Sequence, residues 1–327
     1  MSQHETDLLV VGAGPAGLYA AYYAGFRGYS VLLVDSLPEL GGQVSALYPE
    51  KVIYDVAGFV AIKGQDLVDM LAEQAATADP TYLLGHRAEQ LAVADDAVTV
   101  TTHLGDVVRA KAVLITGGIG TFSPRPLPDS ELFADHGLRY FVRHLEDLAG
   151  QQVLIVGGGD SAFDWAASLE PLAASVTLIH RRTAFRAHQG TVDAVLASSV
   201  RVLTPYEVAR INGNPRVESV EVFDNQSGDR QTLPVDTVVA ALGFTADLGP
   251  FTRWGLEQRK RHILVDSAMR TNLPRVFAAG DIVEYDGKVK LISVAFGEAA
   301  TAVNNAAGVI VPGARIFPGH STGAEGS

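Results

Sequence analysis

The sequence predicts an α/β protein made of two copies of one module, in which a strand, a glycine-rich turn, a helix and a second strand follow each other. Three observations lead to this prediction. The turn occurs twice, as GAGPAG from Gly12 and as GGGDSA from Gly157. In both copies an apolar run precedes the turn, and a second apolar run follows at the same distance. Each copy then continues into segments that predict a small antiparallel meander.

In the first copy, the apolar run Asp7 to Val11 predicts the first strand. The Ala- and Tyr-rich segment after the turn has helical spacing and ends near Gly25 or Gly28. The run Val31 to Val34 predicts the second strand, which ends in Asp35. This order of elements is typical of a dinucleotide-binding βαβ unit.

Each turn glycine of the first copy has a physical reason. Gly12 permits the tight turn, Gly14 lets the backbone approach a pyrophosphate, and Gly17 lets the helix pack close to the strand. The helix N-terminus then faces the phosphates. One such fingerprint is weak evidence against an ordinary strand-to-helix turn, but two in matched contexts indicate two nucleotide-binding modules.

The second copy repeats the elements of the first. Val153 to Val156 predicts a strand, a helix runs from about Phe163 to Leu169, and Val176 to Ile179 predicts the next strand. From Gly12 to Asp35 is 23 positions, and from Gly157 to His180 is again 23 positions. The candidate nucleotide-binding residues of this copy at and after its turn are Gly157, Gly159, Asp160, Ser161 and Ala162.

A meander and a closing apolar strand follow each βαβ unit. The first meander turns at Gly105 and the second at Gly228. The predicted strands are Glu89 to Val93, Val98 to Thr102 and Val107 to Ala110 in the first copy, and Glu207 to Ile211, Val217 to Phe223 and Gln231 to Leu233 in the second. The closing strands lie in AVLITGG and TVVAALG.

The two copies differ at the tip of the second strand. Asp35 can accept hydrogen bonds from adenosine ribose hydroxyls, so the first module suits FAD or NAD. The second module has His180 there, followed by Arg181 and Arg182, with Arg186 one helical turn later. A carboxylate would repel a 2′-phosphate, whereas guanidinium groups bind it bidentately. The second module therefore favours NADPH over NADH, and the alternative is a solvated basic strand end.

Composition limits the classes of function. The chain has 327 residues, 47% hydrophobic content and a formal charge of −12, so diffuse binding to nucleic acid or to an anionic membrane is disfavoured. No apolar run is long enough to span a bilayer and the N-terminus lacks a basic signal region, so we expect a cytoplasmic protein. Because there is no cysteine, disulfides and dithiol redox chemistry are excluded.

A pyridine nucleotide beside a flavin is a productive pair, since hydride can leave NADPH for the flavin ring. The C-terminal part supports a flavin. In RVFAAGD an apolar strand leads to Gly280 and Asp281, and the helical pattern VAFGEAATAVNNAA follows, whose N-terminus can face a flavin carbonyl. The alternative is another strand-to-helix turn.

With these motifs the chain resembles the flavoproteins with two dinucleotide-binding domains that include thioredoxin reductase, and within them the thioredoxin-reductase-type ferredoxin–NADP reductases. The resemblance covers nearly the whole chain and is strongest in GAGPAGLYAAYYAGFRG, GGQVSALYPEKVIYDVAGF, GGGDSAFDWA, VTLIHRRTAFRAH, AAGDI, KVKLISVAFGEAATAVNNAA and PGHST. It implies two Rossmann-like three-layer ββα/αβ domains. The NADPH domain, residues 118–245, would be inserted into an FAD domain of residues 1–117 and 246–327, and the protein would be a homodimer.

The resemblance also assigns roles to individual residues. Tyr48 would stack on the isoalloxazine, Asp281 would contact the ribitol region, and Ala88 would contact adenine through its backbone. Phe122 would sit at the domain crossing, and His320 would cover the flavin of the partner subunit. The remaining residues assigned to FAD are Gly12, Gly14, Ala16, Gly17, Asp35, Gly42, Gln43, Ser321 and Thr322.

Electrons must leave the flavin without a dithiol, because the segment DHGLRYFVRHLEDLAG stands where thioredoxin reductases carry C-x-x-C. Ferredoxin or flavodoxin fits, since FAD accepts hydride and releases single electrons. The alternatives are an NADPH-dependent diaphorase, quinone or oxygen reductase, and a non-catalytic NADPH or flavin sensor. An acidic carrier needs a local basic patch, for which Arg259-Lys260-Arg261-His262 is a candidate and a solvated charge run the alternative.

Overall fold

The computed structural model describes residues 2–134, 136–142 and 144–320, with only the backbone described for residues 121–123 and 244–246. The chain forms two compact units, one of Met1–Thr121 with Ala246–Ser327 and one of Phe122–Thr245. Among the residues described, no helix is long and apolar enough to cross a membrane.

The elements follow each other along the chain in three stretches. The first stretch contains β1 (Gln3–Val11), α1 (Pro15–Phe26), β2 (Val31–Asp35), α2 (Gln43–Leu47), β3 (Val52–Ile53), β4 (Ile62–Lys63), α3 (Gly64–Ala76), β5 (Thr81–Leu84), β6 (Ala88–Val93), β7 (Val98–Thr102), β8 (Val107–Ile115) and β9 (Thr121–Pro124). The second contains α4 (Ser130–Phe133), β10 (Leu138–Arg139), a 3₁₀ turn (Leu145–Leu148), β11 (Gln152–Val156), α5 (Asp160–Leu169), β12 (Ser175–Ile179), α6 (Gln189–Leu196), β13 (Arg201–Leu203), β14 (Tyr206–Gly213), β15 (Val217–Asp224), β16 (Arg230–Pro234), β17 (Thr237–Ala240) and β18 (Phe244–Asp247). The third contains a 3₁₀ turn (Gly249–Arg253), β19 (Gln258–Arg259), β20 (His262–Leu264), β21 (Val276–Ala278), β22 (Val283–Glu284) and α7 (Ile292–Ile310).

The first unit is built around a sheet in the order β5-β2-β1-β8-β7-β6, with β21 added alongside β8. Strands β5, β2, β1, β8 and β21 are parallel, and β7 and β6 continue the sheet as an antiparallel meander. Successive residues of β1 alternate between two apolar clusters: Leu8 packs with α1, α3 and α7, whereas Leu9 packs with β7 and with residues 248–256. Burial on both faces explains why β1 ends in a continuous apolar run.

The second unit has a parallel sheet in the order β13-β12-β11-β17-β10 and a separate antiparallel meander, β14-β15-β16. Leu154 of β11 packs toward the meander, and its neighbour Val153 packs toward α5. Helix, sheet and meander therefore form three layers, which confirms the predicted fold class.

One predicted division of strands is wrong. The third meander strand and the closing strand of the first copy are a single strand, β8, which pairs with β7 through residues such as Val108 and with β1 through residues such as Leu114. In the second copy the two strands stay separate as β16 and β17, because Val235 and Asp236 interrupt them.

Candidate nucleotide-binding sites

The glycine turns of the two modules make the same backbone contacts. The N–H of Gly12 donates to the carbonyl of Val34 at 2.8 Å, and the N–H of Gly157 donates to that of Ile179 at 3.0 Å. A Cβ placed on Gly12 would lie 2.5 Å from the Thr116 carbonyl oxygen. On Gly157 it would lie 2.4 Å from the corresponding oxygen in the second unit, that of Ala241. In each module the first glycine therefore lets the turn lie close against the ends of two neighbouring parallel strands.

The other turn glycines divide into packed and open positions. A Cβ on Gly17 would lie 1.8 Å from the Gly12 carbonyl oxygen, so this residue is needed for helix packing. A Cβ on Gly14 would meet nothing closer than 3.9 Å, and one on Gly159 would meet nothing within 4 Å. No side chain caps α1 or α5 at these two residues. Two open, uncapped helix N-termini fit the phosphates of two nucleotides.

Several predicted FAD residues of the first unit come together around its open turn. A Cβ on Gly42, which has φ +58°, would lie 3.0 Å from the Cα of Gly14. The side-chain amide of Gln43 packs against Gly118, where a Cβ would lie 2.3 Å from Nε2. The Gly280 backbone faces Ala16 of α1, with 3.5 Å between their Cβ positions. Segments from both ends of the chain therefore form one cradle whose walls are backbone.

Asp35 ends β2 beside this cradle, at the position predicted for the ribose contact. One carboxylate oxygen accepts the N–H of Ala13 at 2.6 Å, and the other accepts the N–H of Leu37 at 2.8 Å. The residue is 9% exposed, and burial raises the pKa of its carboxyl against these backbone hydrogen bonds. Because each oxygen has a second lone pair, the carboxylate can still accept a ribose hydroxyl.

Tyr48 and Asp281 lie within electrostatic reach of each other although they are far apart in the sequence. Burial, followed by the charges of Asp281 and Asp55, raises the pKa of the Tyr48 hydroxyl to about 12. Tyr48 follows the short helix α2 and packs against the apolar cluster that Leu8 forms with α1, α3 and α7. It therefore stays a neutral, fixed aromatic ring across the physiological pH range, as a flavin-stacking residue requires.

The remaining residues predicted for FAD have no common place in the described structure. Ala88 begins β6 and is buried, two residues after His86, whose N–H donates to the Asp35 carbonyl at 2.8 Å. His320 is exposed, with its ring 5.1 Å from that of Phe317. The side chain of Phe122, and all of Ser321 and Thr322, lie outside the described residues.

In the second unit His180 follows β12, where Asp35 stands in the first. Its imidazole lies over Gly158, on which a Cβ would be 2.5 Å from three ring atoms. Burial, together with the charges of Arg181, Arg182 and Arg186, lowers the pKa of the ring. All three arginines are exposed, so a neutral imidazole stands beside three cations at the end of the strand. Such a group suits a phosphate monoester.

The predicted helical position of Arg186 is wrong. Residues 181–184 are bends, and α6 begins only at Gln189. The loop is held differently: the N–H of Arg186 donates to the Gly158 carbonyl at 2.8 Å, and the N–H of His188 donates to Asp160 Oδ1 at 2.8 Å. The arginine loop is thus tied directly to the glycine turn. Ser161 follows Asp160 in the exposed first turn of α5, whereas Ala162 is fully buried.

Sequence reasoning missed Gly158, although a signal was present. The fingerprint explains the first and third glycines of GGG, and the middle one is explained by the ring of His180. It also missed Glu298, whose carboxylate is buried in α7 and contacts Gly280. A single acid inside the apolar pattern VAFGEAATAV was the available signal.

The fold and these sites define a class: oxidoreductases that carry two dinucleotide-binding modules in one chain. The family model of the pyridine nucleotide-disulphide oxidoreductases matches residues 6–299. The chain belongs to this family and, within it, to the ferredoxin–NADP reductases of the thioredoxin-reductase type.

Curated relatives support the narrower group. A ferredoxin–NADP reductase of Frankia alni is 63% identical over 316 residues, which are 97% of this chain and 98% of the relative. A ferredoxin–NADP reductase of a Nocardioides species is 63% identical over 328 residues, 99% of this chain and 98% of the relative. That of Thermus thermophilus is 48% identical over 98% of both chains.

Solved structures support the fold. The thioredoxin reductase of T. acidophilum is similar with a TM-score of 0.79 at 25% identity, covering 93% of this chain and 98% of that one. The thioredoxin reductase of Lactococcus lactis gives 0.78 at 24% identity, covering 93% and 99%. This chain has no cysteine, so it shares their fold without a dithiol.

Proposed function

We propose that this protein passes electrons from NADPH through bound FAD to ferredoxin, with FAD held in the first unit and NADPH in the second. It is an NADPH-dependent flavoprotein oxidoreductase. One observation carries the assignment of the two nucleotides. At equivalent positions after matching strands, the first unit has a buried carboxylate, Asp35, and the second has His180 with three exposed arginines. The first accepts ribose hydroxyls, and the second binds a 2′-phosphate.

The first unit has the residues to hold FAD. The N–H groups at the N-terminus of α1 and the open backbone at Gly14, against which Gly42 packs, would bind the pyrophosphate, and Asp35 the ribose. Tyr48 and Asp281 would lie at the flavin end. When bound, FAD takes up two electrons as hydride and can release them one at a time. The residues of the chain contribute binding, orientation and exclusion of water.

The second unit has the residues to hold NADPH. The open N-terminus of α5 at Gly159 would bind its pyrophosphate, and Arg181, Arg182 and Arg186 would bind the 2′-phosphate. No side chain in this arrangement is required to move a proton during hydride transfer. Its rate therefore depends on how the nicotinamide is positioned.

An anaerobic titration tests the proposed function. The FAD-loaded protein is titrated with NADPH and separately with NADH while flavin absorbance is followed, and oxidised ferredoxin is then added. We expect NADPH to bleach the flavin at far lower concentration than NADH, and ferredoxin to restore its colour. Equal bleaching by NADH would refute the role of the arginines. A diaphorase would pass electrons to cytochrome c equally fast without ferredoxin, and a sensor would keep its flavin oxidised.

The carrier must dock on an acidic protein, and the basic hairpin of β19 and β20 remains our proposal for the docking surface. Arg259 is already paired, with its guanidinium 3.0 Å from Glu284 and 3.3 Å from Asp286. Lys260, at the turn, is exposed, and the Lys290 amine lies 2.6 Å from His262 Nε2. The two lysines, rather than Arg259, would then supply attraction for an acidic partner.

Replacing both lysines of this hairpin region with alanine, K260A/K290A, tests the docking proposal. We expect ferredoxin affinity to fall by about 3-fold to 10-fold at low ionic strength and the difference to vanish in high salt, because exposed charges are screened. R230A removes a cation of the second unit that pairs with Glu221, and it serves as the control. Unchanged affinity and salt dependence in the double variant would refute this docking surface.

Flavodoxin as a second carrier, a homodimeric assembly and a cytoplasmic location stay proposals drawn from the resemblance and from the sequence. Titration of the reduced protein with flavodoxin tests the first. Light scattering on the purified FAD-loaded protein tests the second, and a monomer at micromolar concentration would contradict it.

A further inference from the structure

A cluster of three polar side chains, two of them buried and one half-buried, lies inside the first unit, apart from the residues assigned above. The Lys288 amine lies 2.5 Å from Glu298 Oε1, and their side chains are 2% and 4% exposed. The Tyr285 hydroxyl donates to the same oxygen at 2.6 Å. Burial and this hydrogen bond raise the pKa of the Tyr285 hydroxyl to about 12, so it remains a donor. We call Tyr285, Lys288 and Glu298 the α7 anchor.

The other oxygen of Glu298 reaches the turn that carries Asp281. Glu298 Oε2 accepts the N–H of Gly280 at 2.7 Å. The peptide on one side is fixed as well, because the Ala279 N–H donates to the carbonyl of Ile115 at 2.9 Å. On the other side the Val283 N–H donates to the Gly280 carbonyl at 3.2 Å, which closes the turn. Asp281 is therefore held at the tip of a turn with a defined backbone orientation.

A buried ion pair contributes little net free energy to the stability of a fold, because the cost of desolvating both charges is comparable to their attraction. Apolar side chains of the same size would serve a core as well. What the carboxylate supplies, and an apolar group cannot, is a directional bond to one backbone N–H. This points to a role at the Gly280 turn rather than in the core.

We propose that Glu298 is a positioning residue of the FAD site: it fixes the Gly280-Asp281 turn against the flavin end of the cofactor, and Lys288 with Tyr285 hold its carboxylate in place. This inference rests on the proposed function, since it requires FAD in the first unit. It assigns no chemical step to Glu298. It predicts that disturbing the anchor changes how tightly the flavin is held and what environment it has.

The variants follow from donor and acceptor geometry. In E298Q the amide has one oxygen, which must face either Lys288 or Gly280. It turns to Lys288, because leaving a buried cation unpaired costs more than leaving one N–H unpaired. The amide nitrogen then faces the Gly280 N–H, and the bond to the turn is lost. In E298Q/K288M the cation is gone, so the oxygen can accept from Gly280 while the nitrogen donates to Tyr285.

The experiment measures FAD release from the loaded full-length protein by the gain in flavin fluorescence after dilution, together with the flavin absorption spectrum and midpoint potential. We expect E298Q to release FAD about 10-fold faster than the unaltered protein, with a shifted spectrum and potential. We expect E298Q/K288M to return close to the unaltered values. K288M should lower thermal stability, yet keep the spectrum, because its Glu298 still accepts from Gly280.

Two results would overturn the inference. One is an E298Q protein that is less stable but has unchanged FAD release, spectrum and potential, since the anchor would then serve the fold alone. The other is a double variant that remains as impaired as E298Q. Failure of the proposed function would look different, because the unaltered protein would then not retain FAD or would not pass electrons from NADPH to ferredoxin.

Discussion

Replacing Gly159 with alanine separates nucleotide binding from folding in the second unit. Gly159 precedes α5 with φ −104° and ψ −178°, a conformation that alanine adopts freely, and a Cβ there would meet nothing within 4 Å. The cost to stability is the loss of a favourable N-cap residue, about 1 kcal/mol or less. The folded protein therefore accepts the methyl group.

The methyl group would, however, project into the space that the proposed pyrophosphate requires. Displacing the phosphate from the helix N-terminus removes one or two hydrogen bonds to a charged group, each contributing about 1.5 to 3 kcal/mol. Since 1.4 kcal/mol is a factor of ten, NADPH affinity should fall by about 10-fold to 100-fold or more. FAD content should not change, because the substitution lies in the other unit.

The assay measures the NADPH dissociation constant from anaerobic flavin reduction, with thermal unfolding and FAD content determined on the same sample. G308A, an equally small change at an exposed position of α7 with open space around it, is the control and should match the unaltered protein in NADPH affinity and FAD content. Unchanged NADPH affinity in folded G159A would refute the pyrophosphate assignment. If G159A failed to fold, the open space around Gly159 would be too small for a methyl group, which would contradict the structure.

Three further predictions concern charge and packing at the two turns. R181A/R182A should weaken NADPH binding by about 10-fold to 100-fold and leave NADH unchanged, which kcat/KM with each nucleotide and ferricyanide would show. The lowered pKa leaves the His180 ring neutral at neutral pH in the nucleotide-free protein, and a bound 2′-phosphate would raise the pKa, so NADPH binding takes up a proton. NADPH affinity should therefore strengthen as pH falls and level off below the lowered pKa of His180. Calorimetry in buffers of different ionisation enthalpy would measure the protons taken up on NADPH binding. If an H180N protein took up the same number of protons as the unaltered protein, His180 would not be their source. G17A should fail to fold or to retain FAD, since its Cβ would lie 1.8 Å from the Gly12 carbonyl oxygen, and normal thermal unfolding of G17A would be inconsistent with this packing.

The two βαβ modules could be predicted because their signals are local. A turn between neighbouring parallel strands needs glycine where a Cβ would clash with the next strand. The six-residue motifs that begin at Gly12 and Gly157 show this requirement directly in the sequence. The charge difference between Asp35 and His180 was equally readable, since both follow their glycines at one spacing.

The parts that could not be predicted depend on contacts between distant residues. Nothing near Arg186 in the sequence shows that its loop is tied to Gly158 rather than wound into a helix. Glu298 and its partner Gly280 lie 18 residues apart on different elements, so their bond follows only from the packing of α7 on the sheet. The alternation of polar and apolar residues also does not reveal that β8 continues without a break into the parallel sheet.

That continuity of β8 has a consequence for cooperativity. In the first unit the meander shares strand β8 with the parallel sheet that carries the glycine turn, so β7 is joined by a backbone ladder to a strand of that sheet. In the second unit the meander is a sheet of its own, which adjoins the parallel sheet through side chains and through single backbone bonds such as that from the Tyr206 N–H to the His180 carbonyl at 3.0 Å. We therefore expect the amides of β7 to exchange with solvent more slowly than the amides of β14 to β16, which can exchange through a local opening that leaves the second parallel sheet largely intact. Two copies of one architecture would thus differ in how their parts unfold, because in one copy two strands have become one.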